Sequence, residues 1–235
     1  MSLKKSAGNM YPWVTHTHSH LGGKCPHECS YCYVSAMAAK FDTMRQRYGG
    51  VVRLIEDEFK VNYGKGKTIF IEHMNDLFAD GISNETIHRV LNHCFEYPEN
   101  HYVFQTKNPK RYFYFITQMP RESILGTTIE TNRYIPEVMG KSPTPFARFE
   151  AMRQLRRDIG FVKLFVTVEP ILAFDVNKLA DWIAEINPNF LNIGADSKKR
   201  GLPEPSKESV LAFIEALRAR HIEIRQKHNL ERLLK

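Results

Sequence analysis

Three of the chain's four cysteines fall within eight positions, in the run C-P-H-E-C-S-Y-C from Cys25 to Cys32. Any fold this chain adopts must keep that loop intact. The N-terminus, M-S-L-K-K-S-A-G, carries no hydrophobic signal region, and no apolar run approaches the ~18 residues needed to span a bilayer. A cytoplasmic protein is expected, where thiols stay reduced and clustered cysteines build metal sites rather than disulfides. Three thiolates on one loop can hold three irons of a [4Fe–4S] cube and leave the fourth iron without a nearby protein ligand. Chemistry happens at such an open position. The alternative is a zinc knot that adds His27 or a distant histidine to the three cysteines, which would make the chain a non-enzymatic nucleic-acid or protein adaptor.

The rest of the chain alternates β-rich runs with amphipathic helical patterns, the signature of a parallel α/β fold. Strands are expected at 13–17, 68–72, 101–106, 123–130, 162–168 and 190–194, with a seventh at 221–225. Helices are expected at 34–48, from Ser83, at 110–119, after the Thr144-Pro145 cap, from Asp175, and from Ser206 to Arg220. The stretch 51–63 is ambiguous. Ile87, Val90, Leu91 and Cys94 recur at i, i+3, i+4 and i+7, which makes Cys94 a core thiol and not a fourth ligand. Six or seven such units in 235 residues read as one domain, 1–235, a partial or complete β/α barrel.

The spacing Cys-x3-Cys-x2-Cys, with Tyr31 before the last cysteine, resembles the signature of the radical S-adenosylmethionine (SAM) superfamily. The stretches H-M-N-D-L-F, F-Q-T-K-N-P-K-R, T-V-E-P and N-I-G-A-D-S resemble small, phage-associated members of unassigned function, and more distantly spore photoproduct lyase. The resemblance implies a partial (β/α)6 barrel of TIM type and a [4Fe–4S] cluster on Cys25, Cys29 and Cys32. It also implies SAM as cofactor and an external electron donor of flavodoxin or ferredoxin type. The cluster would cleave SAM reductively, and the 5′-deoxyadenosyl radical would take a hydrogen from the substrate. Tyr31 would pack near the adenine.

In β/α barrels the chemistry sits at the C-terminal ends of the strands. There the sequence places Glu72, His73, Met74 and Asp76 after strand two, and Lys107 after strand three. Thr128, Glu130 and Asn132 follow strand four, Glu169 strand five, and Asn192 and Gly194 strand six. The resemblance assigns these groups to SAM, apart from Lys107. Asp76 comes first and Glu72 second as acceptor for the methionine ammonium, Glu130 and Asn132 would face the ribose, and Gly194 the adenine. The structural alternative for Glu130 and Glu169 is an internal ion pair with Lys107 or an arginine.

The net charge of +7 suits an acidic partner. Lys107, Lys110, Arg111, Arg133, Lys198, Lys199 and Arg200 are expected on the mouth face, and Lys107, Lys198, Lys199 and Arg200 are the candidates to bind a nucleotide or nucleic-acid substrate. One further alternative comes from T-H-T-H-S-H. An H-x-H pair, His16 and His18, could bind zinc in a barrel hydrolase if His73, His101 or Asp196 completed the set.

Overall fold

The computed structural model describes residues 3–198 and 200–235. The chain runs β1 (Lys4–Lys5), β2 (His16–His18), β3 (Leu21–Gly22), α1 (Tyr33–Lys40), α2 (Asp42–Tyr48), β4 (Arg53–Leu54) and β5 (Thr68–Ile71). It continues α3 (Asn84–Phe95), β6 (His101–Thr106), α4 (Tyr112–Phe115), β7 (Ser123–Thr128), α5 (Pro136–Met139), α6 (Pro145–Asp158) and β8 (Lys163–Val168). It ends α7 (Val176–Ile186), β9 (Phe190–Ile193), α8 (Lys207–Ala219), β10 (Ile224–Gln226) and α9 (Glu231–Leu234).

Eight strands form one sheet in the order β1-β2-β5-β6-β7-β8-β9-β10. Only β1 runs antiparallel to its neighbour; β2 and β5 to β10 are parallel. The sheet does not close, so the fold is an α/β partial barrel of TIM type, with β10 as the seventh parallel strand. β3 and β4 pair separately as a small antiparallel ribbon. Among the described residues no helix is long and apolar enough to cross a membrane.

Strand side chains alternate between two faces. Ile69, Ile71, Phe104, Val166 and Ile193 meet the apolar faces of the helices in the main core, and Cys94 is buried there. On the opposite, inner face, Phe70, Val103, Phe165 and Phe190 pack with Tyr11 and Val14. Gly126 belongs to this inner layer, because a Cβ there would lie 2.2 Å from the Phe165 ring. One step towards the strand C-termini, Thr128, Thr167 and Asn192 stand in register. Tyr11 Oη meets Gln105 Oε1 and Thr167 Oγ1, each at 2.8 Å. Two residues further on come Lys107, Glu130, Glu169 and Gly194, the rim of the mouth.

The first strand starts later than expected because residues 9–14 fill the barrel opening as a stopper. Lys227 donates to the Asn9 carbonyl at 2.5 Å, and the Arg225 guanidinium lies over the Phe190 ring and near Trp13. The helix expected at 34–48 breaks at Phe41, whose backbone is extended and whose side chain is exposed. No apolar face spans the break: α1 buries only Val34, and Asp42 suits a fresh N-terminus. The helix expected at 110–119 divides into a 3-10 turn, α4 and a second 3-10 turn. Residues 51–63 become β4 and a 3-10 helix, Glu56–Lys60.

Candidate functional site

The cysteine loop leaves β3 through Gly23, whose φ is +85° and where a Cβ would lie 2.2 Å from the Val51 carbonyl oxygen. Asn75 Nδ2 donates to the Gly23 carbonyl at 3.1 Å, so the loop after β5 holds the same turn. On the other side α5 clamps the loop. Ser30 N donates to Val138 O at 3.1 Å and Lys141 N to His27 O at 2.7 Å. The Cys29 thiol approaches Met139 O at 3.5 Å. All three thiols are free and half-buried. Burial pushes Cys25 up to about 12, with the Asp76 carboxylate and the other two cysteines adding to the rise. Burial also raises Cys29, against the pull of Lys107.

Asp76 is buried beside this loop. Its Oδ2 accepts from His27 Nε2 and from Lys107 N, both at 2.8 Å, and its Oδ1 accepts from Phe78 N at 3.0 Å. Burial opposes its charge, yet His27, the Lys107 amide and the Thr106 hydroxyl hold it below the usual carboxylate range. Glu72 serves a different turn. Its backbone has φ +60°, and its two oxygens accept the amides of His20 and Leu21 at 2.6 and 3.2 Å and the His20 ring at 2.8 Å. Of the two candidate ammonium acceptors, Asp76 is the one that borders the cysteines. His73 and Met74 anchor the start of α1: Tyr33 Oη donates to His73 O at 2.9 Å and reaches Met74 Sδ at 3.0 Å.

Glu130 is the hub of a second network. Tyr31 Oη and Lys107 Nζ both donate to its Oε1, and Lys107 Nζ also lies 4.3 Å from the centre of the Tyr31 ring. Arg148 Nη1 donates to Glu130 Oε2 at 2.6 Å and to Thr128 O at 2.8 Å. Thr128 Oγ1 accepts from Gln105 Nε2 at 2.9 Å. Burial alone would raise the Glu130 pKa, but Arg148 and then Lys107 overcome it and bring it to about 2. Lys107, expected to face substrate, is thus an internal ion-pair partner, and the arginine of that alternative is Arg148. Sequence reasoning passed over Arg148, although a signal was present. It shares the series Pro145, Arg148, Phe149, Met152, Leu155, a lone charge on the buried face of α6.

Glu169 is also paired. Oε1 accepts from Asn9 and Asn229 at 2.8 Å each, and Oε2 from Lys227 Nζ at 2.8 Å. A Cβ at Gly194 would lie 2.7 Å from Glu169 Oε1, so glycine lets that carboxylate approach the end of β9. Asn192 is buried, 3.4 Å from Thr167 Oγ1. Asn132 faces Asp175 rather than the mouth, donating to Oδ2 at 2.7 Å and accepting the Asp175 amide at 2.8 Å. The amides of Lys198 and Arg200 bind Asp196 at 3.0 and 2.5 Å. The Lys198 side chain is exposed and that of Arg200 half-buried; Lys199 lies outside the described residues. The expected basic mouth is therefore thinner: Arg111 donates to the carbonyls of Ala79 and Ile82, and Arg133 pairs with Asp175.

Among the described residues neither zinc alternative brings its donors within reach of one ion. His27 is engaged by Asp76. His16 bonds Thr15, His73 meets Ser19 Oγ at 3.2 Å, and His101 stands 3.6 Å from Glu122 on the surface.

Solved structures share this architecture. A spore photoproduct lyase with bound AdoMet and dinucleoside spore photoproduct superposes with a TM-score of 0.57 at 13% identity. The match covers 92% of this chain and 65% of that one, so the chain spans about two thirds of the lyase. A radical SAM methyltransferase from Sphaerobacter thermophilus gives a TM-score of 0.54 at 15% identity, over 94% of this chain and 69% of that one. Streptococcus suis SuiB bound to S-adenosylmethionine gives 0.56 at 12%, over 91% and 47%. The fold is that of radical SAM enzymes. No curated protein sequence matches. Residues 10–184, well over half of the chain, match the family described as "Protein of unknown function (DUF5131)", and the chain belongs to that family.

Proposed function

We propose that this protein is a radical SAM enzyme. One observation carries the reading: three free thiols on a clamped loop open at the C-terminal end of the first parallel strand, in a sheet with the fold of radical SAM enzymes. Cys25, Cys29 and Cys32 would hold a [4Fe–4S] cluster. When bound, the cluster supplies the electron that cleaves S-adenosylmethionine to a 5′-deoxyadenosyl radical. An external donor of flavodoxin or ferredoxin type would deliver that electron.

The chain's own residues bind, orient and shield. Around Glu130, two cations surround one carboxylate, leaving a surplus positive charge that acts on Cys29 and favours its thiolate. The buried carboxylate of Asp76, next to Cys25, is a fixed negative charge suited to an ammonium in a dry site. α5 and the loop after β5 cover the cysteines from two sides. For the substrate we favour a nucleotide or nucleic acid, since Lys110, Lys198 and Arg200 remain at the rim and the protein is basic overall.

The test is anaerobic reconstitution. About four irons and four sulfides per chain are expected, lost on Cys25→Ala, Cys29→Ala or Cys32→Ala and kept in Cys94→Ala. With dithionite and SAM, 5′-deoxyadenosine should form, and Asp76→Ala should weaken SAM binding more than iron content. Zinc bound to the three cysteines in place of iron would overturn the reading.

A further inference from the structure

Away from the mouth, three histidines meet on the helix-facing side of the sheet. His18 ends β2, His20 stands two residues on, and His93 comes from the last turn of α3. All three are buried, and one ring nitrogen from each lies within 4.8 Å of the others. We propose that His18, His20 and His93 form a structural site for a divalent transition-metal ion, zinc by its donor set.

The argument rests on where the ring hydrogens must be. His20 Nδ1 is 2.8 Å from Glu72 Oε1, and that carboxylate already accepts two backbone amides. With Glu72 ionised, Nδ1 carries the hydrogen and Nε2 keeps a lone pair. His93 Nε2 is 3.1 Å from the Val61 carbonyl oxygen, which can only accept, so His93 Nδ1 keeps a lone pair as well. These two lone-pair nitrogens face each other at 2.9 Å. The Tyr63 hydroxyl, 3.0 Å from His20 Nε2, has one hydrogen and can satisfy only one of them. Something positive belongs between the rings, either an extra proton or a metal ion.

The third ring decides between them. A proton joins two nitrogens, whereas His18 is packed edge-on to His20, with 4.5 Å between ring centres. His18 Nε2 is 3.3 Å from the Glu58 carbonyl oxygen. Metal-binding histidines typically give their outer N–H to a carboxylate or backbone carbonyl, which fixes tautomer and ring direction. Glu72 and Val61 do this here. On tetrahedral zinc with bonds of ~2.0–2.1 Å, two nitrogens stand about 3.3 Å apart. The His20–His93 pair needs to open by only a few tenths of an ångström. The three rings are buried, with the Tyr63 hydroxyl 3.0 Å from His20 Nε2 at the edge of the set, so the centre is structural rather than catalytic. The ion would tie the turn after β2 to α3, beneath the Phe59 ring, whose centre is 4.8 Å from that of His20.

The test starts from the full chain with Cys25, Cys29 and Cys32 changed to Ala, so that the mouth thiols cannot bind metal. It is refolded with zinc, freed of excess by gel filtration, and analysed for bound metal. About one zinc per chain is expected, falling to below about a tenth in versions also carrying His20→Ala or His93→Ala. Refolding with cobalt should give tetrahedral visible bands without a sulfur charge-transfer band. A folded parent that retains no zinc and shows no cobalt bands overturns the proposal. So does zinc retained in full by both histidine variants. If those variants fail to fold, the cobalt spectrum of the parent decides alone.

Discussion

Arg148 and Glu130 are both fully buried, and each is held by the other. Breaking a buried pair outright costs about 3–5 kcal/mol, and here Lys107 would remain on Glu130. Arg148→Met should therefore lower stability by less than that, up to about 3 kcal/mol, even though methionine suits the surrounding core. Glu130 also contributes to acid sensitivity. Its pKa falls from 4.5 to about 2 on folding, so its contribution is full above pH 4.5 and is lost as pH drops towards 2. Urea midpoints at pH 7, 4.5 and 3 should fall less steeply for Glu130→Gln than for the wild type, from a lower starting value at pH 7. Parallel curves would show that the carboxylate does not carry this term. Sequence spacing brought Glu130 to the mouth and raised an internal ion pair as the alternative. It favoured the functional role, because the cation at the inward position of α6 that forms the pair, Arg148, was passed over.

At the level of elements, the sheet was legible because a buried strand is a short apolar run with a plain end. The expected strand at 101–106 coincides with β6, and those at 162–168 and 190–194 differ from β8 and β9 by one residue at one end. The support for the cysteine loop was not legible. α5 has four residues, too few for a periodicity, and its importance lies in the glycine after it. Gly140 has φ +59°, and a Cβ there would sit 2.3 Å from His27 O. Gly140→Ala should therefore push the loop off its clamp. The expected loss is about 1–3 kcal/mol in thermal or urea unfolding, from strain at a left-handed position. Iron incorporation should fall more than that loss alone would produce. A variant that melts lower yet loads iron fully would mean that the clamp stabilises the fold without shaping the loop.

For the whole molecule, net charge was easier to read than its placement. Seven cations were expected on one face, but Lys107 and Arg111 have internal partners and Arg133 pairs with Asp175 at the surface. Sequence could not separate a cation that meets a carboxylate from one that meets solvent. The remaining cations still predict a salt-dependent interaction. Binding to short single-stranded DNA and RNA should weaken steeply with salt, and the Lys198, Lys199, Arg200→Ala variant should have a slope shallower by about 2. An unchanged slope would remove that loop from the interface, and no binding at low salt would favour a small metabolite or peptide.

The stopper at residues 9–14 has a consequence for how the chain is made. Lys227 and Asn229 reach back to Asn9 and to the Glu169 carboxylate that Asn9 also holds, across a sequence separation of 218 between Lys227 and Asn9. On a ribosome, Tyr11 and Trp13 emerge about two hundred residues before the last strand they pack beside. Contacts this distant in sequence form slowly, because the loop they close must be ordered first. Until that strand appears, the nascent protein therefore displays an aromatic segment without its final partner, the kind of surface that chaperones recognise. The segment that seals the finished barrel is the one most in need of protection while the chain is still growing.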